Sequence, residues 1–285
     1  MTPSTYGAMR VAEIWRYPVK SLRGEMLNET GLTSGGIPGD RVVHVSGPRG
    51  LLTGRTRHEL LTLPARTGAD GEPIVRGHPW DSPQAAAQIT AAAGPDARLV
   101  RDPAPERFDV LPLLVATDTE IARLGVDRRR LRPNLVIAGV AEGAERHWPG
   151  HALRIGTTLI GMLSLRDRCI VTTIDPDSGA QDLEVLRRIR REFDGSVALD
   201  CWVLAEGAVH VGDPVEVVPL PRRLPAHGQP RPGGWVTGRP YPARPAATQL
   251  SDSESGVPNG KGSSWFHASR PLLRPPDPVH VRGAG

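Results

Sequence analysis

The feature that most constrains the fold is a series of short apolar runs spread over the first 220 residues. These runs are rich in β-branched residues, and Gly, Pro, Asp and Asn separate them. They include "VAEIWRYPV", "DRVVHVSG", "RPNLVIAG", "CIVTTI" and "AVHVGDPVEVV". Short strands punctuated by turn residues are typical of antiparallel sheets. We therefore predict a mostly β fold with a few helices (α+β), in which the sheet is barrel-like.

Three segments carry helical patterns instead. The segment "TDTEIARLG" offers Thr117 or Asp118 as an N-cap and Gly125 as a stop, and "DSPQAAAQITAAAG" is another helix former. A third helix is predicted in "AQDLEVLRRIRREF", where one apolar stripe contains Leu183, Leu186, Ile189 and Phe193.

The length of 285 residues allows one large domain or two ordinary ones. A break near "GPDARLVRDPAPERFD" would divide the body into 9–100 and 101–220. The remaining segment, 221–285, contains 12 of the 29 prolines and shows neither helical nor strand periodicity. Such a segment buries too little apolar surface to offset its ordering entropy, so we expect it to be disordered. The alternative is a docking tail that uses the apolar residues of "SSWFHASRPLL".

The charge of the chain is unevenly distributed. The segment from Pro221 onward has nine Lys and Arg against three Asp and Glu, a net charge of +6, so the overall +4 leaves −2 for residues 1–220. The body therefore lacks the basic surface expected of a nucleic-acid-binding protein. Neither a signal peptide nor a membrane-spanning apolar stretch is recognisable, and we expect a cytoplasmic protein with no membrane partner.

The motif "YPVKSLRG" contains the only lysine outside the last segment, in a chain that has 33 arginines and two lysines. An ammonium group on a flexible stem can reach a phosphate as a point charge, which makes Lys20 a candidate ligand-binding residue. Ser21 and Gly24 suit a close approach of the backbone to an anion. The alternative is that Lys20 is a solvated loop residue.

A second candidate motif is "RRRLRPNLVIAG". Arg132 and Asn134 flank Pro133 at the entrance to an apolar strand, so both side chains can point to the same face. Arginine supplies paired donors for a phosphate, and asparagine can both donate to and accept from a heterocycle. The alternative is an ordinary basic strand end.

The third candidate is Cys169, one of two cysteines in the chain. The chain has no CxxC motif, and free thiols are the default in a protein that is not exported. Arg166 and Arg168 flank Cys169 and would stabilise its thiolate, which is the form that ligates metals or acts as a nucleophile. The following "DPDSG" is a turn that would hold the cysteine at the rim of a sheet. The alternative is a small buried apolar residue.

Six of these segments, in order and spacing, resemble the MOSC proteins, named for the C-terminal domain of molybdenum cofactor sulfurase. The likeness runs from about Val11 to Val218 and is strongest to the subgroup with an N-terminal β-barrel domain, which includes the mitochondrial amidoxime-reducing component. The segments are "YPVKSLRG", "GDR", "FDVLPLLVAT", "LRPNLVIAG", "RDRCIVTTIDPDSG" and "GAVHVGDPVEV".

The resemblance implies two β-barrel-like domains, an N-terminal one over 9–100 and a MOSC domain over 101–220. It further implies that the molybdenum cofactor, molybdopterin with Mo, occupies a cleft between them. Cys169 would be the catalytic residue and the protein ligand of the metal, and pyridoxal phosphate binding is implied as well. The residues that would hold the cofactor are Lys20, Ser21, Arg41, Asp109, Arg132, Asn134 and Arg168.

The implied activity is that of a molybdenum-dependent oxidoreductase that reduces N-hydroxylated or other N-oxygenated small molecules. Electrons would come from a separate donor protein of the ferredoxin, flavin or haem type, and no nucleic acid is expected as a partner. One alternative is a sulfur carrier in which Cys169 forms a persulfide and passes sulfur on. Another is a non-catalytic cofactor-binding or scaffold protein, if Cys169 is buried.

Overall fold

Short strands dominate the described part of the chain. A computed structural model describes residues 8–102 and 107–221, and residues 222–285 of the segment predicted to be disordered lie outside the described residues. The strands are, in chain order, β1 Arg10–Arg16, β2 Glu25–Leu27, β3 Glu29–Leu32, β4 Val43–Gly47, β5 Gly50–Leu52, β6 Ala65–Thr67, β7 Pro73–Val75, β8 His78–Pro79, β9 Arg98–Arg101, β10 Leu113–Thr117, β11 Leu135–Ala138, β12 His151–Ile155, β13 Thr158–Asp167, β14 Ser196–Ala205, β15 Gly207–His210 and β16 Val215–Pro219. The mostly β class is therefore confirmed.

The three predicted α-helices are all present. They are α1 Pro83–Ala93, α2 Asp118–Leu124 and α3 Leu183–Glu192, and short 3-10 helices cover His58–Thr62, Arg128–Arg130, Ala144–His147 and Ile170–Thr173. Thr117 caps α2 through its side chain, and Gly125 ends it with a left-handed backbone (φ 66°). No helix in the described ranges is both long and apolar enough to cross a membrane.

The apolar stripe predicted for α3 is partly wrong. The helix buries Val185, Ile189 and Phe193, which are spaced four residues apart, whereas Leu183 is 45% exposed. Leu183 lies two positions before Val185, so it points to nearly the opposite side of a helix that turns about 100° per residue. The burial pattern therefore follows Val185 rather than the leucines.

An eight-stranded sheet forms the centre of the described residues. Its strand order is β16-β12-β13-β14-β10-β11-β1-β2. The first strand, β1, pairs antiparallel with β11 on one side and with β2 on the other. Alternate side chains of these strands, among them Val115, Ile137 and Met162, form the largest apolar core cluster.

Two smaller sheets lie in the N-terminal half, with orders β5-β4-β9 and β6-β7-β8. They share a second apolar cluster with α1, in which Val43, Leu60 and Ile89 are fully buried. Two strands of the N-terminal half pair with strands of the C-terminal half. Strand β3 pairs with β15, and β1 joins the central sheet by pairing with β11. The division into 9–100 and 101–220 stays a prediction.

The central sheet bends towards itself without closing. Its edge strands are β2 and β16, and three backbone hydrogen bonds link the start of β1 to the start of β16: Val11 N to Asp213 O at 2.9 Å, Gly212 N to Val11 O at 2.8 Å and Val215 N to Met9 O at 2.9 Å. This link remains a single isolated bridge, Arg10 with Pro214, and β2 pairs with β1 from Ile14 onward. The described residues therefore contain no closed barrel, and the expected barrel shape is not confirmed.

Candidate functional site

A cleft of about 370 Å³ brings together residues from distant parts of the sequence. Its walls come from the loop after β1, the turn after β5, the segment before β10, and strands β13 and β14. All eight residues singled out from the sequence line this one cleft: Lys20, Ser21, Arg41, Asp109, Arg132, Asn134, Arg168 and Cys169.

The loop that follows β1 carries the predicted lysine and serine, and side-chain hydrogen bonds fix its start. Tyr17 N donates to Asp40 Oδ1 at 2.7 Å, and Tyr17 Oη donates to Pro133 O at 3.1 Å. The other end of the loop packs tightly at Gly24. A Cβ atom there would lie 2.5 Å from Arg16 O and 2.6 Å from a ring carbon of Tyr17. Glycine is therefore required for the loop to return past the tyrosine ring.

Lys20 is held by the protein itself. Its Nζ lies 2.8 Å from Asp109 Oδ1 and donates to Arg107 O at 2.8 Å. Partial burial raises the pKa of Asp109, but the nearby Lys20 and Arg55 charges lower it more, and the net pKa lies well below the usual range. The lysine is thus part of an ion pair, and is not a free point charge.

Ser21 connects this loop to the turn after β5. Its backbone is left-handed (φ 71°), and its Oγ accepts a hydrogen bond of 3.0 Å from Gly54 N. A Cβ atom on Gly54 would lie 2.7 Å from Leu61 Cγ, so a side chain would push the turn outward. Ser21 therefore sets the position of this turn at the cleft wall.

The same turn carries Arg55, which lines the cleft and was missed in the sequence. Its Nη2 lies 3.3 Å from Asp109 Oδ2. Burial lowers the pKa of Arg55, but the Asp109 carboxylate and a hydrogen bond to Cys169 raise it more, so the net shift is upward. The glycine in "LTGRT" is the only local signal of a tight turn, and it does not indicate what the arginine contacts.

Asn134 uses its whole amide inside the protein. Its Nδ2 donates to Trp15 O and to Asp40 Oδ2, both at 3.2 Å. Its Oδ1 accepts from Leu114 N at 3.1 Å and from Arg41 Nη1 at 3.4 Å. An amide offers two donors and two acceptor positions, and all four are occupied. In this arrangement Asn134 ties β1 and β10 together beside the cleft.

Two guanidinium groups lie against the ring of Tyr17. Arg132 is 4.3 Å and Arg41 is 5.0 Å from the ring centre, within the range of cation–π contacts. Arg41 also forms an ion pair with the buried Asp40. Burial raises the pKa of Tyr17 above its usual range, so the ring stays neutral. The tyrosine thus orients both arginines.

Among the described residues, two buried guanidinium atoms of the cleft have no hydrogen-bond partner: Arg132 Nη2 and Arg168 Nε. Arg168 is otherwise anchored by a 2.7 Å bond from its Nη2 to Leu131 O. Burial lowers the pKa of Arg132 and of Arg168 to about 10, so both remain charged at neutral pH. A buried donor without an acceptor costs free energy, which an anionic ligand would recover.

Three of the six described non-glycine residues with left-handed backbone line the cleft. Ser21, Arg41 and Arg132 all have left-handed backbone, with φ of 71°, 55° and 59°. Residues other than glycine rarely adopt this region, and it is common at ligand-binding sites. All three side chains line the cleft.

Cys169 lies half-buried at the start of the 3-10 helix Ile170–Thr173, and its carbonyl accepts a 2.8 Å bond from Thr172 Oγ1. The predicted turn follows, in which Asp175 Oδ1 accepts from Ser178 N at 2.9 Å. Both cysteines are free thiols. Cys201 is fully buried, and burial raises its pKa well above the usual range. Of the two, Cys169 is the thiol that faces a cavity.

The donor set of the cleft fits the molybdenum cofactor. A thiolate from Cys169 is a soft ligand that suits molybdenum, and the unpartnered atoms of Arg132 and Arg168 suit the oxygens of a phosphate. Arg55 also lines the cleft, and its guanidinium can pair with negative charge on the Cys169 thiolate or on the phosphate.

Comparison with known proteins points in the same direction. Residues 114–216 match the family model of the MOSC domain. Over 126 aligned residues, the chain is 33% identical to mitochondrial amidoxime-reducing component 1 and 32% identical to component 2, both of Homo sapiens. Each alignment covers 38% of this chain and 37% of the relative, so it spans little more than a third of these curated proteins.

Among solved structures, the YUAD protein from Bacillus subtilis is similar with a TM-score of 0.40 and 14% identity, over 76% of this chain and 99% of that one. The family match includes Arg132, Asn134, Arg168 and Cys169, whereas the loop with Lys20 precedes it. The chain therefore contains a MOSC domain, which extends over residues 114–216.

Proposed function

We propose that this protein is a molybdenum-cofactor-binding oxidoreductase that removes oxygen from N-hydroxylated or other N-oxygenated small molecules. The observation that carries the proposal is the presence of a half-buried cysteine and two buried, unpartnered arginine atoms in one cleft. The names of the amidoxime-reducing relatives suggest the substrate class. Pyridoxal phosphate has no comparable support, and we do not propose it.

Each residue has a distinct part in this proposal. Cys169 would ligate the metal through its thiolate, and Arg132 and Arg168 would bind the phosphate and heterocycle of the cofactor. Arg41, which lies against the same Tyr17 ring, would add positive charge. The ion pair of Lys20 with Asp109 would hold the loop that carries Ser21 against the cofactor.

When bound, the cofactor supplies two-electron redox chemistry at molybdenum. The overall reaction takes one oxygen from an N–OH group and releases it as water, consuming two electrons and two protons. The protein would exclude bulk water by the depth of the cleft and orient the substrate against its apolar side, where Val110, Leu111 and Leu165 lie.

The electrons would come from a separate protein of the ferredoxin, flavin or haem type. The chain has two cysteines, and Cys201 is buried in the core, so a four-cysteine iron–sulfur cluster cannot form from its own residues. Turnover by the purified protein with a pyridine nucleotide alone would contradict this part of the proposal.

Metal and pterin analysis tests the proposal directly. The protein is produced in a host that makes the cofactor, and molybdenum and pterin are measured per chain for wild type, Cys169→Ser and the control Cys201→Ala. We expect close to one molybdenum per chain in wild type and in the control, and a large loss in Cys169→Ser.

Two other outcomes would count against the proposal. A wild-type protein without molybdenum, carrying sulfur on Cys169 that cyanide releases, would support the sulfur-carrier function instead. Full molybdenum content in Cys169→Ser would show that the cysteine is not the ligand.

A further inference from the structure

A carboxylate at the floor of the cleft is not used by the function described above. Asp200 lies in the middle of β14, is only 3% exposed, and lines the cleft. Its neighbours across the sheet are Leu114 on β10 and Ser164 on β13. Residues paired across antiparallel strands share a face, so these three side chains form a row that faces the cleft.

The partner of Asp200 comes from the same face. Arg166 is two residues after Ser164 on β13, and its Nε donates to Asp200 Oδ1 at 2.6 Å. The Nη2 atom of Arg166 binds the same oxygen. Both donors of the guanidinium fork therefore converge on Oδ1, and Oδ2 receives no hydrogen bond from the described residues.

Asp109, another acid that lines the cleft, is bonded differently. Asp109 pairs one oxygen with Lys20 and the other with Arg55, at 2.8 Å and 3.3 Å. Its acceptor capacity is therefore directed at the protein, whereas Asp200 keeps one oxygen for a ligand. This oxygen is therefore available to accept a hydrogen bond from a ligand N–H.

We propose that Asp200 is a specificity-determining residue, whose free carboxylate oxygen accepts a hydrogen bond from an N–H group of the substrate. The site would then prefer N-oxygenated substrates that carry an N–H donor or a positive charge, such as amidine-like compounds, over N-oxides that have neither. Leu114, which lies beside Asp200 in this row, would contact the hydrocarbon part. This inference rests on the proposed function.

The test uses the molybdenum-loaded protein with a chemical electron donor and two aromatic substrates. Benzamidoxime carries an N–H donor, and pyridine N-oxide does not. In Asp200→Asn, the amide oxygen can still accept from Arg166 while the amide N–H₂ replaces the free oxygen. We expect KM for benzamidoxime to rise about tenfold or more, as for the loss of one charge-assisted hydrogen bond. KM for pyridine N-oxide and the molybdenum content should stay within about twofold of the wild-type values, because neither depends on this hydrogen bond.

The matched control is Asp96→Asn. Asp96 is an exposed acid in the turn before β9, and it does not line the cleft. We expect neither KM to change in this variant. Three outcomes for Asp200→Asn would overturn its assignment. These are an equal change of KM for both substrates, no change of either KM, and a loss of molybdenum.

A binding measurement separates this inference from the proposed function. Calorimetry with benzamidine and with benzamide needs no turnover and can be made on wild type whatever its metal content. We expect wild type to bind benzamidine at least about tenfold more tightly, and Asp200→Asn to lose most of that difference. Equal affinities in wild type would refute the role of Asp200, even if the variant does not fold. Absence of molybdenum together with a clear preference for benzamidine would refute only the proposed function.

Discussion

Lys20 Nζ and Asp109 Oδ1 lie 2.8 Å apart, and this ion pair joins the loop after β1 to the segment before β10. The lysine side chain is almost buried, whereas the carboxylate is 41% exposed. The pair therefore links two distant parts of the chain at the wall of the cleft, although solvent screens part of its energy.

The first prediction concerns Lys20→Met, which keeps the apolar stem and removes the charge. We expect the free energy of unfolding to fall by about 1 kcal/mol at neutral pH, a modest value because of the solvent screening. The low pKa of Asp109 means that this stabilisation exists above its unfolded value of about 3.8 and is lost as the pH falls. The deficit of the variant, measured by urea unfolding, should therefore shrink below pH 4. A deficit that is independent of pH would assign the effect to the Arg107 hydrogen bond.

The second prediction concerns Glu145, a buried acid that does not line the cleft. Thr117 Oγ1 donates to its Oε2 at 2.9 Å, and Ala198 N donates to its Oε1 at 3.3 Å. Burial outweighs these bonds and raises the pKa of Glu145 from 4.5 to about 7. The neutral form is favoured on folding, so its contribution is fully present below pH 4.5 and is lost as the pH rises to 7.

Glu145→Gln keeps a neutral group of the same shape and should flatten this dependence. The wild type should lose on the order of 3 kcal/mol between pH 4.5 and 8 through this residue, whereas the variant should not. Unfolding free energies of both proteins over this range provide the measurement. Parallel curves would show that another group titrates.

Much of the secondary structure could be predicted from local patterns. The caps of α2 at Thr117 and Gly125 are visible in the sequence because they are chemical requirements of a helix end. The exposure of Leu183 could not be predicted in this way, because leucine suits either side of a short helix. The packing of Phe193 decides which side is buried. The openness of the central sheet depends on pairing between distant strands, which no local pattern encodes.

The residues marked in the sequence lie together in one cleft, but their bonding could not be predicted. Unusual residue choices, such as the single lysine of the body and the charged flank of Cys169, marked residues that do meet in one cleft. Arg55 and Asp200 were missed because nothing near them in sequence distinguishes them from a surface arginine or a strand acid. Only their tertiary contacts, with Asp109 and Arg166, distinguish them.

The third prediction compares the two cysteines. Cys201 is fully buried among apolar residues, so Cys201→Ser places a hydroxyl there and should cost about 1 to 3 kcal/mol of unfolding free energy. Cys169→Ser, at a half-buried position, should change stability by less than about 0.5 kcal/mol in cofactor-free protein. Thermal denaturation of both variants measures the contrast. Similar melting temperatures would place the two thiols in equivalent environments.

The fourth prediction tests the glycine beneath the Tyr17 ring. In Gly24→Ala the new Cβ would lie 2.5 Å from Arg16 O, which cannot move without disturbing β1. We expect a loss of about 1 to 3 kcal/mol, as for overpacking of a core. The matched control is Gly31→Ala on β3, where a Cβ meets nothing within 4 Å. Equal stability of the two variants would mean that the loop relaxes freely.

The last prediction concerns Arg132, whose Nη2 is buried without a partner. Arg132→Met keeps an apolar chain against the Tyr17 ring and removes the unsatisfied donor. In cofactor-free protein the melting temperature should therefore stay the same or rise, since a buried polar group without a partner is destabilising.

In cofactor-loaded protein the same substitution should have the opposite effect. Loss of one charge-assisted hydrogen bond should weaken cofactor binding by about ten- to a hundredfold and lower the melting temperature. The control is Arg154→Met on β12, an exposed arginine 3.7 Å from Glu216, which should change neither state. Melting temperatures of both variants and wild type, with and without cofactor, distinguish the roles. An equal loss in both states for Arg132→Met would make this arginine a structural residue, because a ligand-binding group stabilises only the state that contains the ligand.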